Sequence, residues 1–585
     1  MKDKITSSEI VSRFSQDPEQ LAVITNNNNR LIVEASAGYG KTFTMVSMIS
    51  YWFAINKIPE NKFILCLSFS VSAANRMKES ISEVFFNTSQ FNKTTGQIWT
   101  TNFHGFCRMV LKKYGYLVGV KDINALKSID TWHVHSISSS DKENLTLIQH
   151  LEQDISSASI SIDQLFTRTP PYIEAQKSLF IKKGEITYDA IILFVLNLFK
   201  EYPSIQHGYQ KIFKAVCIDE FQDTNVLGLA LIRTLILPDT KCVVFGDQMQ
   251  QIYGFLGAIP NLIDRIVSDD VNHRITYIRL LKNYRFTKRP NMLALDTALH
   301  KFRDNPYDTS IKPVGIKPLH GITIYDQASR IIELIQHIQS TDPDATVAIL
   351  VNQGVGTTEE LVTNIRQVLP LMDATFKAED PNFIDFEYQA LELYQSNFLN
   401  HPITKHEIEH FCHNVKSNSP LSDYTTSFEE LLRVFLYSSV KKFPSAFRNN
   451  HIISTLSSQS LRQSLPDVTT KVTISTIHGA KGLEWDYVII ANFQQDDFPN
   501  HNDLRDLGIP VSQTTINIDE VDRGALNDIT NKLYVAFSRA KKEVFFSYSN
   551  EGRTPWGEKY NTSLSSLASL PIFKILSANK VYKWM

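Results

Sequence analysis

LIVEASAGYGKTFTMVSMISYWF, Leu31 to Phe53, decides the architecture. An apolar run breaks at Ser36 into a glycine-bearing turn and passes directly into a helical pattern, which predicts a strand, a loop and a helix in that order. In that context ASAGYGKT (Ala35–Thr42) reads as a phosphate-binding loop. The backbone N–H groups of Ala35, Ser36, Ala37, Gly38, Tyr39 and Gly40, with the helix N-terminus, are expected to cradle phosphates. Lys41 would reach the β- and γ-phosphates of ATP, and the Thr42 hydroxyl would ligate Mg²⁺. Gly38 and Gly40 allow close backbone approach, while Ala35 stands where the general pattern has its first glycine.

Further along, VCIDEFQDT (Val216–Thr224) delivers an acidic pair to the tip of a buried strand. Asp219 is suited to the Mg²⁺ shell, and Glu220 to orienting an attacking water as general base. FILCLSFS (Phe63–Ser70) and KCVVFGD (Lys241–Asp247) are further β-rich runs ending in polar residues. Their tips are expected at one edge of a parallel sheet, where α/β ligand sites lie. A second set, ITYIRLL (Ile275–Leu281), TVAILV (Thr346–Val351), VTISTI (Val472–Ile477), YVIIANF (Tyr487–Phe493) and EVFFSYS (Glu543–Ser549), predicts a second α/β core.

The whole-chain arithmetic agrees with several compact units, since 585 residues correspond to about four domains of ordinary size. With 59 Lys+Arg against 61 Asp+Glu, bulk polycation binding to nucleic acid is excluded, and any such contact must be a local groove. Five cysteines without a C-x-x-C pair signal neither a disulfide framework nor a zinc or iron–sulfur site. MKDKITSSEI lacks the apolar core of a signal peptide, and AIILFVLNLF (Ala190–Phe199) is too short to span a bilayer. The expectation is a cytoplasmic protein with no membrane partner, that run being a buried helix.

Between the strands of each core lies a long, mainly helical stretch, too long for a plain loop. The predicted fold class is α/β, with two P-loop-type cores built on parallel sheets, each carrying a mostly helical inserted subdomain. The expected boundaries are 1–110 and 185–272 for the first core, 111–184 for its insertion, 273–375 and 466–585 for the second core, and 376–465 for a reduced second insertion.

Taken in order, these strings resemble the UvrD/Rep branch of superfamily 1 helicases, whose RecA-like cores are named 1A and 2A and whose insertions are 1B and 2B. DPEQLAVI (Asp17–Ile24) is similar to the Q motif of that family, which implies that Gln20 reads adenine. GDQMQQIYGFLGA (Gly246–Ala258) resembles motif III, carrying Gln250 to the γ-phosphate side and Tyr253 and Phe255 to the DNA side. LKNYRFTKRP (Leu281–Pro290) resembles motif IV, with Tyr284 on adenine and Arg285 on the γ-phosphate. TISTIHGAKGLEWDYVII (Thr473–Ile490) resembles motif V, with Glu484 by the nucleotide and Thr476, His478 and Lys481 towards DNA. KLYVAFSRAKKEV (Lys532–Val544) resembles motif VI and implies Arg539 as a second γ-phosphate arginine. The resemblance further implies that ATP bridges the two cores, so that hydrolysis drives closure and opening.

Single-strand binding needs stacking surfaces. Phe69 in LSFSVSAANRM and Phe103 with His104 in TTNFHGF resemble motifs Ia and Ib, and together with Tyr253 and Phe255 form an expected track. Departures from the family pattern fall on this track: Val71 and Ser72 replace an Asn and a Lys, and Phe255-Leu256 replaces a Trp-Arg pair. The second insertion is also short for the family. The implied activity is an ATP- and Mg²⁺-dependent 3′→5′ DNA helicase or translocase acting on single-stranded or tailed duplex DNA. The alternative is a DNA-stimulated ATPase sensor or regulatory subunit serving a separate nuclease partner, as in anti-phage systems of the Gabija type. A P-loop ATPase without a nucleic-acid role is disfavoured by the motif Ib, III and V resemblances.

Overall fold

The computed structural model describes residues 6–69, 73–74, 76–78, 80–81, 96–129, 131, 141–270, 274–376, 380–457, 461–468 and 470–576. The chain divides into two units, Met1–Asn283 and Tyr284–Met585.

Strands of the first unit are β1 (Arg30–Glu34), β2 (Phe63–Ser68), β3 (Ile98–Asn102), β4 (Lys127–Ile129), β5 (Glu185–Thr187), β6 (Phe213–Asp219), β7 (Lys241–Gly246) and β8 (Thr276–Arg279). Six of them form one parallel sheet in the order β3-β2-β6-β7-β1-β8. Its central strands are apolar at successive positions because both faces are covered. The pleat sorts them: Leu31, Val33, Ile64, Cys66, Ala215, Cys217, Val243 and Phe245 join one core cluster, and the alternate residues Ile32, Leu65, Leu67, Val216, Ile218 and Val244 join the other. The helix Lys41–Ala54 covers the first face with Met45, Met48, Ile49 and Trp52, spaced to share one side of a helix.

The chain between β3 and β6 forms the helices Lys142–Ser156 and Ile162–Leu179, the small β4–β5 pair and the helix Tyr188–Glu201. Ala190–Phe199 lies wholly inside that last helix, with every residue buried. Among the described residues, no helix is long and apolar enough to cross a membrane.

Ile275–Leu281, expected in the second core, belongs instead to the first sheet. Its strand β8 pairs in parallel with β1, Leu31 opposite Thr276 and Glu34 opposite Arg279. The expected start of the second core at 273 is therefore too early, because the ladder with β1 holds this segment in the first unit.

The second unit adds β9 (Val314–Ile316), β10 (Leu319–Gly321), β11 (Val347–Val351), β12 (Met372–Ala374), β13 (Val472–Thr476), β14 (Trp485–Ile490) and β15 (Ala540–Ser549). Its main sheet is parallel, in the order β10-β15-β14-β11-β13-β12. Val347, Ile349, Ile474 and Ile489 pack on Ile331, Ile335 and Ile338 of the helix Ile324–Thr341. Two parallel six-stranded sheets are the architecture of two RecA-like cores. Between β12 and β13 stand the helices Pro381–Phe398, Ile408–Asn418, Thr425–Lys442 and Ser445–Ser457.

Candidate nucleotide and nucleic-acid sites

β1 runs into the loop Ala35–Gly40, whose start is tied to β7 by Ala35 N–H donating to the Gly246 carbonyl at 2.9 Å. Gly38 and Gly40 take φ of 84° and 81°, a left-handed backbone that side-chain-bearing residues rarely adopt. Gly40 caps the helix Lys41–Ala54 without a side-chain acceptor, leaving its first-turn N–H groups to the loop side. A glycine cradle ending on an uncapped helix start fits a phosphate. Gln20 is buried against this loop, with Nε2 3.4 Å from the Tyr39 carbonyl, in a helix whose Asp17 cap accepts from Gln20 N–H at 2.9 Å.

Opposite the loop, β6 ends on Asp219, and Glu220 turns the chain with φ of 52°. The Lys41 ammonium lies 2.8 Å from Glu220 Oε2 and 3.5 Å from Asp219 Oδ1. Burial works against the ammonium, but the two carboxylates outweigh it and hold Lys41 above the ordinary lysine range. Burial raises Asp219 above the usual carboxylate range, with Lys41 pulling the other way. Gln250 is also buried here, its amide donating to Asp247 Oδ2 at 2.6 Å, and the Ser36 hydroxyl lies 3.3 Å from Asp247 Oδ1. The structure thus brings Lys41, Asp219, Glu220, Gln250 and the glycine loop to one sheet edge.

Two contributors carried no assigned role in the sequence. Asp247 collects the Ser36, Met249 and Gln250 donors, and Gln222 joins Glu220 to Asp247, the residue after β7. In the string VCIDEFQDT, Gln222 is one more polar residue after the acidic pair, and its partner at 247 is remote in the chain.

In the second unit, Arg285 pairs with Glu484 and donates to the Ser538 carbonyl. Arg539 is 3% exposed and donates to the carbonyls of Val535 and Leu483 and to Ser538 Oγ. Arg285, Glu484 and Arg539 therefore meet around the end of the helix Arg523–Ser538. Tyr284 is 43% exposed. Thr476 ends β13, and His478 and Lys481 lie on the loop after it; all three are half-buried, and Thr476 Oγ1 accepts from Gly479 N–H at 3.1 Å. Below that loop, Arg462 donates to the Ala374 and Phe376 carbonyls and sits over the Phe376 ring.

On the expected strand track, the Phe69 and Tyr253 rings stack at 5.7 Å and 26°. Phe103 is a correction: at 4% exposure its ring packs in the core against Gly228, because the first turn of the helix Phe103–Tyr114 faces inward, and it offers no stacking face. His104 is half-buried edge-on to Tyr188. Burial, aided by Arg108, pushes its imidazole down to about 4, so the ring is neutral and brings no charge to a phosphate. Val71, Ser72 and the Phe255 side chain lie outside the described residues.

Two family models match the chain: the UvrD/REP helicase N-terminal domain over residues 16–270 and the UvrD-like helicase C-terminal domain over residues 388–551. A "Probable DNA helicase II homolog" of Mycoplasma capricolum subsp. capricolum is 24% identical over 91% of this chain and 84% of its own length. The "ATP-dependent DNA helicase PcrA" of Bacillus subtilis is 28% identical over 48% of this chain and 39% of its own length. That of Staphylococcus epidermidis is 25% identical over 57% of this chain and 48% of its own length. The matched region thus spans less than half of either PcrA protein.

Proposed function

Because the chain belongs to the UvrD/Rep-like superfamily 1 helicases, we propose that it hydrolyses ATP at the loop Ala35–Thr42 and couples that hydrolysis to 3′→5′ movement along single-stranded DNA. The observation that carries the reading is the Lys41 ammonium beside both Glu220 and Asp219, under a glycine loop that opens a helix. A lysine so placed reaches a terminal phosphate, and a carboxylate on a strand tip takes up or orients the attacking water. The Thr42 hydroxyl and Asp219 are the protein ligands suited to Mg²⁺, which prefers one or two protein oxygens and completes its shell with phosphate and water. When bound, Mg²⁺ would neutralise charge developing on the phosphate oxygens.

Within this reading, Gln250 senses the terminal phosphate, and Arg285 and Arg539 stabilise the charge that develops on it. Gln20, Tyr284 and Glu484 serve the nucleotide. Phe69 and Tyr253 stack on bases, and Thr476, His478 and Lys481 contact the strand. The direction of travel is carried over from the resemblance of the GLEW-containing stretch (Gly482–Trp485) to the UvrD/Rep branch.

The test is ATP hydrolysis by the purified chain with and without single-stranded DNA, run beside strand displacement on 3′- and 5′-tailed duplexes. Stimulated turnover with displacement from the 3′ tail alone is the expected result. Turnover indifferent to DNA, or displacement from the 5′ tail, would overturn it.

A further inference from the structure

Gln222 lies in the short turn Phe221–Asp223 after the acidic pair and is 1% exposed. Both ends of its amide are used. Nε2 donates to Glu220 Oε2 at 2.7 Å, and Oε1 accepts from Asp247 N–H at 2.9 Å. An amide buried this deeply costs stability unless both halves are bonded, so these two partners fix its orientation. Lys41 and Gln222 donate to the same carboxylate oxygen, Oε2, which sets the rotation of the Glu220 carboxylate about its last bond.

The far end of this bridge is the segment that leads to Tyr253. Gln251 Nε2 donates to the Gln222 carbonyl at 2.7 Å and to the Ile259 carbonyl at 2.9 Å, so residue 222 grips Asp247–Gln251 at two points. Two residues beyond Gln251 stands Tyr253, stacked on Phe69. Gly246 leaves room for the amide, since a β-carbon there would come 3.1 Å from Gln222 Oε1 and 2.7 Å from Ile263 Cδ1.

We propose that Gln222 is a positioning residue that holds Glu220 in its water-orienting rotation and ties that rotation to the segment Asp247–Tyr253, so that a base seated at Tyr253 improves the alignment of Glu220. The inference rests on Glu220 being the general base of the site above. It differs from a packing role because it requires a donor at one end and an acceptor at the other.

The test compares Gln222→Leu, Gln222→Glu and Glu220→Gln in the full chain, with melting temperature recorded for each. Gln222→Leu is expected to lower kcat by about 10–100-fold with little change in KM for ATP, and to flatten the stimulation by single-stranded DNA. Gln222→Glu keeps the acceptor for Asp247 N–H but regains the donor only when protonated, so its kcat relative to the unsubstituted chain should climb as pH falls from 8 to 6. If Gln222→Leu does not fold, that pH profile decides alone. A folded Gln222→Leu with unchanged kcat and stimulation, or a Gln222→Glu deficit that does not vary with pH, overturns the proposal. Turnover surviving Glu220→Gln overturns the base assignment itself, whereas an inactive Glu220→Gln beside a fully active Gln222→Leu removes only the role of Gln222.

Discussion

Arg462 lies directly beneath Gly479, so closely that a β-carbon on the glycine would overlap Nη2 of the arginine. The guanidinium cannot swing aside, because the Ala374 and Phe376 carbonyls accept from it and Ser475 Oγ lies 3.4 Å away. Gly479→Ala should therefore cost about 1–3 kcal/mol by overpacking. It should also displace His478 and Lys481 on the same loop and Thr476 at its start. Thermal unfolding with single-strand affinity checks this, and a variant with the melting temperature of the parent would show that the loop has slack.

Lys41→Ala and Glu220→Gln are expected to reduce ATP turnover by at least about 100-fold, the scale of losing a positioned base or a principal charge partner. Steady-state hydrolysis at saturating ATP and DNA measures it. Parent-like rates in both variants would remove the phosphate site from this edge of the first sheet.

Tyr253→Ala should weaken binding of a short single-stranded oligonucleotide by about 1–3 kcal/mol, the contribution of one aromatic stack, and leave ATP-analogue affinity in place. Fluorescence anisotropy reads both. If strand affinity holds, the Phe69–Tyr253 stack is a packing contact and no more.

Glu387 should impose a pH dependence on the second insertion. It is fully buried in the helix Pro381–Phe398, where burial pushes its carboxyl up to about 8 from an ordinary 4.5, although Leu461 N–H donates to it at 2.8 Å. The folded state thus favours the protonated acid. Its stabilising effect is complete below pH 4.5, fades as the unfolded chain ionises, and is exhausted once pH has risen through about 8, at up to ~1.4 kcal/mol per unit. Glu387→Gln keeps the acceptor for Leu461 and should flatten that slope. Amide exchange over residues 380–457 at pH 6 and pH 9, corrected for intrinsic rates, compares the two proteins, and equal slopes would count against this account.

The strand, glycine loop and helix of Leu31–Phe53 and the placing of the acidic pair at a strand tip were legible because each is local: neighbouring residues, one strand tip and a required backbone shape are all present in a short string. Strand β8 was not, since an apolar run such as Ile275–Leu281 suits either sheet and only the ladder with β1 selects one. Phe103 misled for the opposite reason. Its neighbours resemble a strand-binding motif, while the direction of its ring depends on how the helix Phe103–Tyr114 meets the sheet. The bridge from Gln222 to Asp247 and the seat of Gly479 over Arg462 join positions far apart in the chain, and no periodicity in the sequence announces such pairs.

β8 has one more consequence. Leu280 N–H donates to the Glu34 carbonyl at 2.8 Å, and Asn283 Nδ2 approaches the Ala37 carbonyl at 3.5 Å, so the polypeptide leaves the first unit alongside its phosphate loop. Arg285 follows Asn283 after two peptide bonds, about 7 Å of backbone at full stretch. That arginine is leashed by two peptide units to a residue anchored beside the loop, and each residue spliced in after Asn283 would lengthen the leash by about 3.5 Å.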